Sequence, residues 1–84
     1  MEANEIRSRI KRVVSNIANI PADEIGDRAS FRKDLNLDSL SALEVIIGVE
    51  FEFKFQIPDL EAAQAETVEE AVQLVERHLP VATG

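Results

Sequence analysis

Ile6, Ile10, Val13, Val14 and Ile17 recur at helical spacing, with Arg7, Arg9, Lys11 and Arg12 spread over the remaining faces. This pattern predicts an amphipathic helix ending near Asn19, closed by Pro21. A stripe this regular reads as a core face rather than as a basic helix lying on a membrane surface. From Ile20 to Leu37 runs a connection longer than helical bundles normally use, so it is expected to be ordered. Ile20, Ile25, Phe31, Leu35 and Leu37 are its expected pins, with a short helical turn after Pro21.

The stretch from Ser39 to Ile57 carries two patterns. Val49, Phe51, Phe53, Phe55 and Ile57 alternate with Glu50, Glu52, Lys54 and Gln56, as in a half-buried strand. No second strand is evident to satisfy its backbone, so a helix to about Phe53 is favoured, followed by an extended turn through Ile57-Pro58. As a helix the segment is apolar on two opposite sides. Ala42, Val45, Ile46, Val49 and Phe53 form one; Leu40, Leu43, Ile47 and Phe51 form the other, with Glu44 among them and Glu50 at the edge. One side faces the core, and the other is available for a partner.

Pro58 and Asp59 can open a short alanine-rich helix carrying Leu60 and Ala63. Thr67-Val68-Glu69-Glu70 is a capping box, and Val68, Ala71, Val72, Val75 and Leu79 continue at helical spacing to Pro80. The expected fold is all-α: a small four-helix bundle, three longer helices and one short, with a long ordered first loop. Residues 1–84 form one domain in this reading, folded over about 3–79 with 80–84 as a tail.

Composition narrows the picture. Eighty-four residues sit near the lower size for a domain that folds without staples, and the chain contains no cysteine. Disulfides and thiolate metal sites are therefore excluded. There is no apolar run of membrane-spanning length, and the N-terminus is too polar for a signal peptide, so a cytoplasmic protein without membrane insertion is expected. The net charge of −7 is unevenly divided: residues 1–33 carry +2 and residues 34–84 carry −9. Such a surface repels nucleic acid and steers the chain toward basic partners.

The candidate chemistry lies in Asp34-Leu35-Asn36-Leu37-Asp38-Ser39-Leu40. Asp38 suits an N-cap, which makes Ser39 the first helical residue and sets its hydroxyl at the positive end of the helix. An anionic phosphodiester on that oxygen would gain about 0.3–1 kcal/mol from the helix field, partly cancelled by Asp38. The neighbours of Ser39 in sequence offer no base to make it a nucleophile, and His78, the only histidine, reads as an exposed residue of a last helical turn. No glycine-rich phosphate loop or metal-spaced cluster appears, so the chain is expected to be acted upon rather than to be an enzyme. Asp34-x-Asn36-x-Asp38 copies the opening of a calcium-binding loop, but Ser39 replaces its turn glycine and Glu44 comes one residue early.

The stretch DLNLDSLSALEVIIGVEFEFKFQIPD resembles the attachment region of acyl carrier proteins. The likeness extends from the first helix through Ser30-Phe31 and Ile57-Pro58-Asp59 to the helix at Thr67. It implies that Ser39 carries 4′-phosphopantetheine, transferred from coenzyme A by a phosphopantetheinyl transferase, and that the arm's thiol holds acyl groups as thioesters. It implies too that Asp38 helps position the transferase's magnesium. Leu40, Leu43, Glu44, Ile47, Glu50 and Phe51 would form the recognition face for acyl-loading, condensing and acyltransferase enzymes with basic docking surfaces, reached by a monomeric carrier. Val45, Ile46, Val49, Phe53, Phe55 and Ile57 would line the acyl-chain pocket.

Several residues depart from the family pattern. Asn36 and Lys54 stand at usual glycine positions, Gly48 interrupts a helix interior, and Phe51 stands where another acid is common. Phe51 exchanges an electrostatic contact for an apolar one, which points to a specialised pathway rather than ordinary fatty-acid synthesis. Peptidyl, aryl and D-alanyl carriers share the modified serine and form the nearest alternative. A helical interaction module with Ser39 unmodified is the distant one.

Overall fold

In the computed structural model, which describes residues 2–78, the chain forms four helices: α1 (Ala3–Ala18), α2 (Ser39–Phe53), α3 (Asp59–Gln64) and α4 (Val68–His78). A single 3-10 turn, Ala22–Glu24, follows Pro21. Among the described residues the only β-type pairing is an isolated bridge between Ser30 and Thr67.

Helix α1 lies against both α2 and α4. Its Ile6, Ile10 and Val14 meet Val45, Ile46, Val49 and Phe53 of α2 and Val68, Ala71, Val72, Leu74 and Val75 of α4. Val13 and Ile17 are half-buried at the edge of this core. Arg7 straps α1 to α4, donating from Nη2 to both carboxylate oxygens of Glu69 at 3.2 and 2.9 Å. Leu74 belongs to the core although the helical stripe read from sequence passed over it; Leu79 and the expected tail at 80–84 lie outside the described residues.

The long connection is ordered for the expected reason. Ile25, Phe31 and Leu37 are buried, and Ile20 and Leu35 pack partly against the core. Backbone bonds add to this: the Phe31 N–H donates to the Glu66 carbonyl at 2.9 Å, and the Val68 N–H donates to the Ala29 carbonyl at 3.1 Å. Ser30 and Asp34 close the loop locally, the Asp34 carboxylate accepting the Ser30 N–H at 2.7 Å and the Ser30 hydroxyl accepting the Lys33 N–H at 3.1 Å.

The alternation from Val49 to Ile57 resolves as helix and then extended chain. Phe53 and Ile57 are buried, Phe55 is half-buried, and Phe51 points away from the core. Lys54 ends α2 in the left-handed region at φ 58°, as Asn19 does for α1 and Asn36 does just before the Asp38 cap. The two departures at glycine positions are thereby explained, because the backbone there takes the conformation glycine adopts most easily, and asparagine tolerates it better than lysine. Gly48 has a packing reason: a Cβ there would sit 2.6 Å from Cγ1 of Val13, so its absence lets α1 and α2 approach.

Ala62 of α3 and Ala65 just past its end turn to the core, while Leu60 and Ala63, which α3 carries as expected, are exposed. Two expectations are corrected. At the start of α4, Thr67 caps the Glu70 N–H at 3.1 Å as expected, but the Glu70 carboxylate reaches one residue further back, to the Glu66 N–H at 2.9 Å. His78 is half-buried rather than exposed, stacked on Phe55 with ring centroids 5.7 Å apart and bonded through Nε2 to Glu61 of α3 at 2.8 Å. That contact, with Arg77 to Glu61 at 3.2 Å, ties α3 to the end of α4. It matters because α3 itself contributes no buried residue.

Candidate functional site

Asp38 takes an extended backbone (φ −79°, ψ 179°), and its side chain accepts the Ser41 N–H at 2.7 Å. Ser39 therefore starts the helix with its side chain exposed, as the sequence predicts. The bond from the Ser41 backbone, with the Ser41 hydroxyl adding to it, holds the Asp38 carboxyl below the usual range, so it is charged at neutral pH. A depressed carboxyl contributes stability above its unfolded value, near pH 3.9, and loses it as pH falls through the lower folded value. In urea titrations, Asp38→Asn should keep the cap with no charge to titrate, and Asp38→Ala should lower the midpoint at neutral pH. The gap between wild type and Asp38→Ala should narrow in strong acid, toward that left by a neutral cap. A gap that stayed constant with pH would show that the carboxylate is not the cap.

Beside Ser39 a cleft of about 430 Å³ opens between α2 and α3. Ala42, Leu43 and Ile46 form one wall, Ala62, Ala63 and Ala65 the other, with Phe31 and Glu66 also bordering it. Small side chains make the space: three alanines face a helix whose Ala42 lies one turn after Ser39. Arg32 borders the same cleft and is the cation nearest in kind to what a phosphodiester on Ser39 would need. An exposed hydroxyl, an apolar cleft next to it and a cation at the rim fit a phosphate-linked acyl-bearing arm.

Of the residues expected to line an acyl pocket, Ile46 alone borders this cleft. Val45, Val49, Phe53 and Ile57 are buried in the filled core, and Phe55 lies under His78. Sequence reasoning did not single out Phe31, Arg32, Ala42, Ala62 or Ala65 for this role. The alanine-rich composition of α3 was the available signal, since a short helix without bulk leaves room against its neighbour.

The face expected to meet partners divides into two sets. Leu40, Leu43, Ile47 and Phe51 are exposed, and so is Glu44. Glu50 is half-buried, its carboxylate accepting the Ile57 N–H at 2.7 Å and so closing the turn after α2. Asp34 and Asp38, at the first and third ligand-like positions of the calcium-loop-like run, are both engaged as acceptors of backbone N–H groups. Among the described residues no helix is long and apolar enough to cross a membrane.

Comparison with known proteins meets this geometry. The sequence profile of the family described as "Phosphopantetheine attachment site" matches residues 8–75. An acyl carrier protein of Rubrobacter xylanophilus is 40% identical over 78 residues, covering 93% of this chain and 96% of that protein. Acyl carrier protein 2, mitochondrial, of Arabidopsis thaliana is 35% identical over 78 residues, again 93% of this chain but 62% of the plant protein. With the profile spanning both the serine that opens α2 and the bundle that presents it, this chain belongs to the acyl carrier proteins, which are carriers of covalent phosphopantetheine and not enzymes.

Proposed function

We propose that Ser39 is the attachment point and that the chain carries aliphatic acyl groups, sheltering them in the cleft between α2 and α3. The observation that carries this reading is the adjacency of an exposed serine, at the first position of α2, to an apolar cleft with an alanine wall. The arm, when attached, supplies a terminal thiol that holds the acyl group as a thioester. The chain's own residues do the rest. Asp38 fixes the first turn of α2 and keeps a negative charge beside the hydroxyl, where a transferase's magnesium would be drawn. Arg32 offers a counter-charge for the phosphodiester. Ala42, Ile46, Phe31 and Ala62 offer apolar surface to the cargo. Leu40, Leu43, Glu44, Ile47, Glu50 and Phe51 remain the proposed recognition face, toward a phosphopantetheinyl transferase and acyl-loading, condensing or acyltransferase enzymes. Residues 1–84 act as one domain, monomeric and cytoplasmic, in fatty-acid, polyketide or specialised lipid synthesis.

Cargo chemistry separates this reading from peptidyl, aryl and D-alanyl carriers. A transferase fed acyl-coenzyme A of increasing chain length would give a loaded series. Each methylene taken from water into the cleft should stabilise the fold by up to about 0.8 kcal/mol, so urea midpoints should climb with length until the cleft is full. Equal midpoints for acetyl and octanoyl forms would show that the cleft does not take aliphatic cargo.

A further inference from the structure

We propose that this carrier docks its enzymes through an apolar ridge ending in Phe51, and that those enzymes carry an apolar pocket for Phe51 set well apart from the mouth that receives the arm. The proposal rests on the reading of Ser39 as the attachment point. Leu40, Leu43, Ile47 and Phe51 fall on one stripe of α2, and Phe51 is 80% exposed at its far end. At 1.5 Å per residue, Phe51 lies about 18 Å along the helix from Ser39, which sets the distance between pocket and mouth.

Charge on α2 is less available than its sequence suggests. Glu50 is committed to the Ile57 N–H, and Glu52 pairs with Arg9 of α1 at 3.5 Å. Glu44 is the one glutamate of the helix that is exposed, and it sits toward the Ser39 end. Lys54 follows Phe51, so the far end of the ridge is apolar with a cation beside it. Next to Phe51 a hollow of about 360 Å³ is lined by Glu50, Lys54, Phe55 and Gln56. Knob and hollow stand side by side, so the partner that fits them offers a pocket for Phe51 and an apolar side chain for the hollow.

Two features identify the occupant as an enzyme rather than a second copy of this chain. The ridge starts at Leu40, next to Ser39, so an enzyme reaching an arm on Ser39 covers the ridge as it does so. A second copy would oppose like charge, since residues 34–84 carry a net −9.

The test uses the holo chain and the host enzyme that acylates it, purified by that activity. Its KM for the carrier is measured from about 0.1 M to about 1 M NaCl, as the screening length falls from about 10 Å to about 3 Å. KM should rise less than about threefold across this range, as apolar docking requires. Phe51→Ala should raise KM about tenfold or more with kcat within about twofold, and Glu44→Gln should raise it about twofold. Because Phe51 is exposed, the variant's urea midpoint should match wild type, which separates docking from folding. A KM that climbs tenfold or more with salt and ignores Phe51→Ala overturns the ridge. So does a Phe51-dependent dimer in sedimentation, which would assign the face to a second copy. Intact mass distinguishes the levels: with the arm present and KM indifferent to Phe51 the ridge alone fails, whereas with no arm on Ser39 the attachment reading fails with it.

Discussion

Phe31→Ala should remove a large share of the stability of this domain. The ring is 2% exposed, and the residue's backbone is bonded on both sides, its N–H to the Glu66 carbonyl and its carbonyl to the Leu37 N–H, each at 2.9 Å. It is thus the point where the long first loop is fastened to the α3–α4 junction and to the approach to Ser39. Truncating a buried phenylalanine to alanine costs about 3–5 kcal/mol, against roughly 4–13 kcal/mol for a domain of 84 residues at the usual stability per residue. Urea unfolding should show a greatly lowered midpoint for Phe31→Ala and a much smaller loss for Phe31→Leu, which refills most of the volume. Phe31 also borders the cleft, so the void left by alanine would open into the space proposed for cargo. A loss below about 1 kcal/mol would mean that the loop is held by its backbone bonds and not by this ring.

Ser39→Ala should do the opposite, leaving the fold intact while abolishing carrier function. The Ser39 hydroxyl is exposed, and the cap of α2 is supplied by Asp38, whose carboxylate bonds to Ser41 rather than to Ser39. Alanine is also the better helix former at the position, so the urea midpoint should be unchanged or slightly raised. Uptake of phosphopantetheine should fall to nothing, because among the described residues no other side chain combines a hydroxyl with the start of this helix and the mouth of the cleft. A variant that unfolded would make the serine structural, and a variant that was still modified would move the attachment elsewhere.

The elements most legible in the sequence were those written in local patterns. Helices α1, α2 and α4 follow from apolar spacing, the starts of α2 and α4 from Asp38 and Thr67, and the ends of α1 and α2 from Pro21 and from the extended turn at Ile57-Pro58, because caps and periodicity depend on residues within one or two turns. The place of Ser39 at the start of α2 was legible for the same reason, and its proposed role as the attachment point came with the family resemblance. What sequence did not disclose depends on where α3 docks. The cleft is made by residues far apart in the chain, Phe31 and Ala42 against Ala62 and Ala65, and the absence of bulk leaves a weaker mark than its presence. Glu50 illustrates the limit on α2: spacing set it at the edge of the exposed side, but the turn after Lys54 brings the Ile57 N–H within 2.7 Å of its carboxylate. His78 was misread because its stacking on Phe55 and its bond to Glu61 join three separate elements. The strand-like alternation around Phe51 was set aside because no partner strand was evident, and α2 does run as a helix to Phe53, with Phe51 exposed and Val49 and Phe53 buried.

The claim on which the account turns is that Ser39 bears the arm. Incubating the purified chain with coenzyme A and a broad-specificity phosphopantetheinyl transferase, then fragmenting the product in the mass spectrometer, tests it most directly. The account predicts one phosphopantetheine per chain, localised to Ser39 and absent from Ser39→Ala. Addition at Ser30 or Ser41, or no addition to a chain shown to be folded, would contradict it.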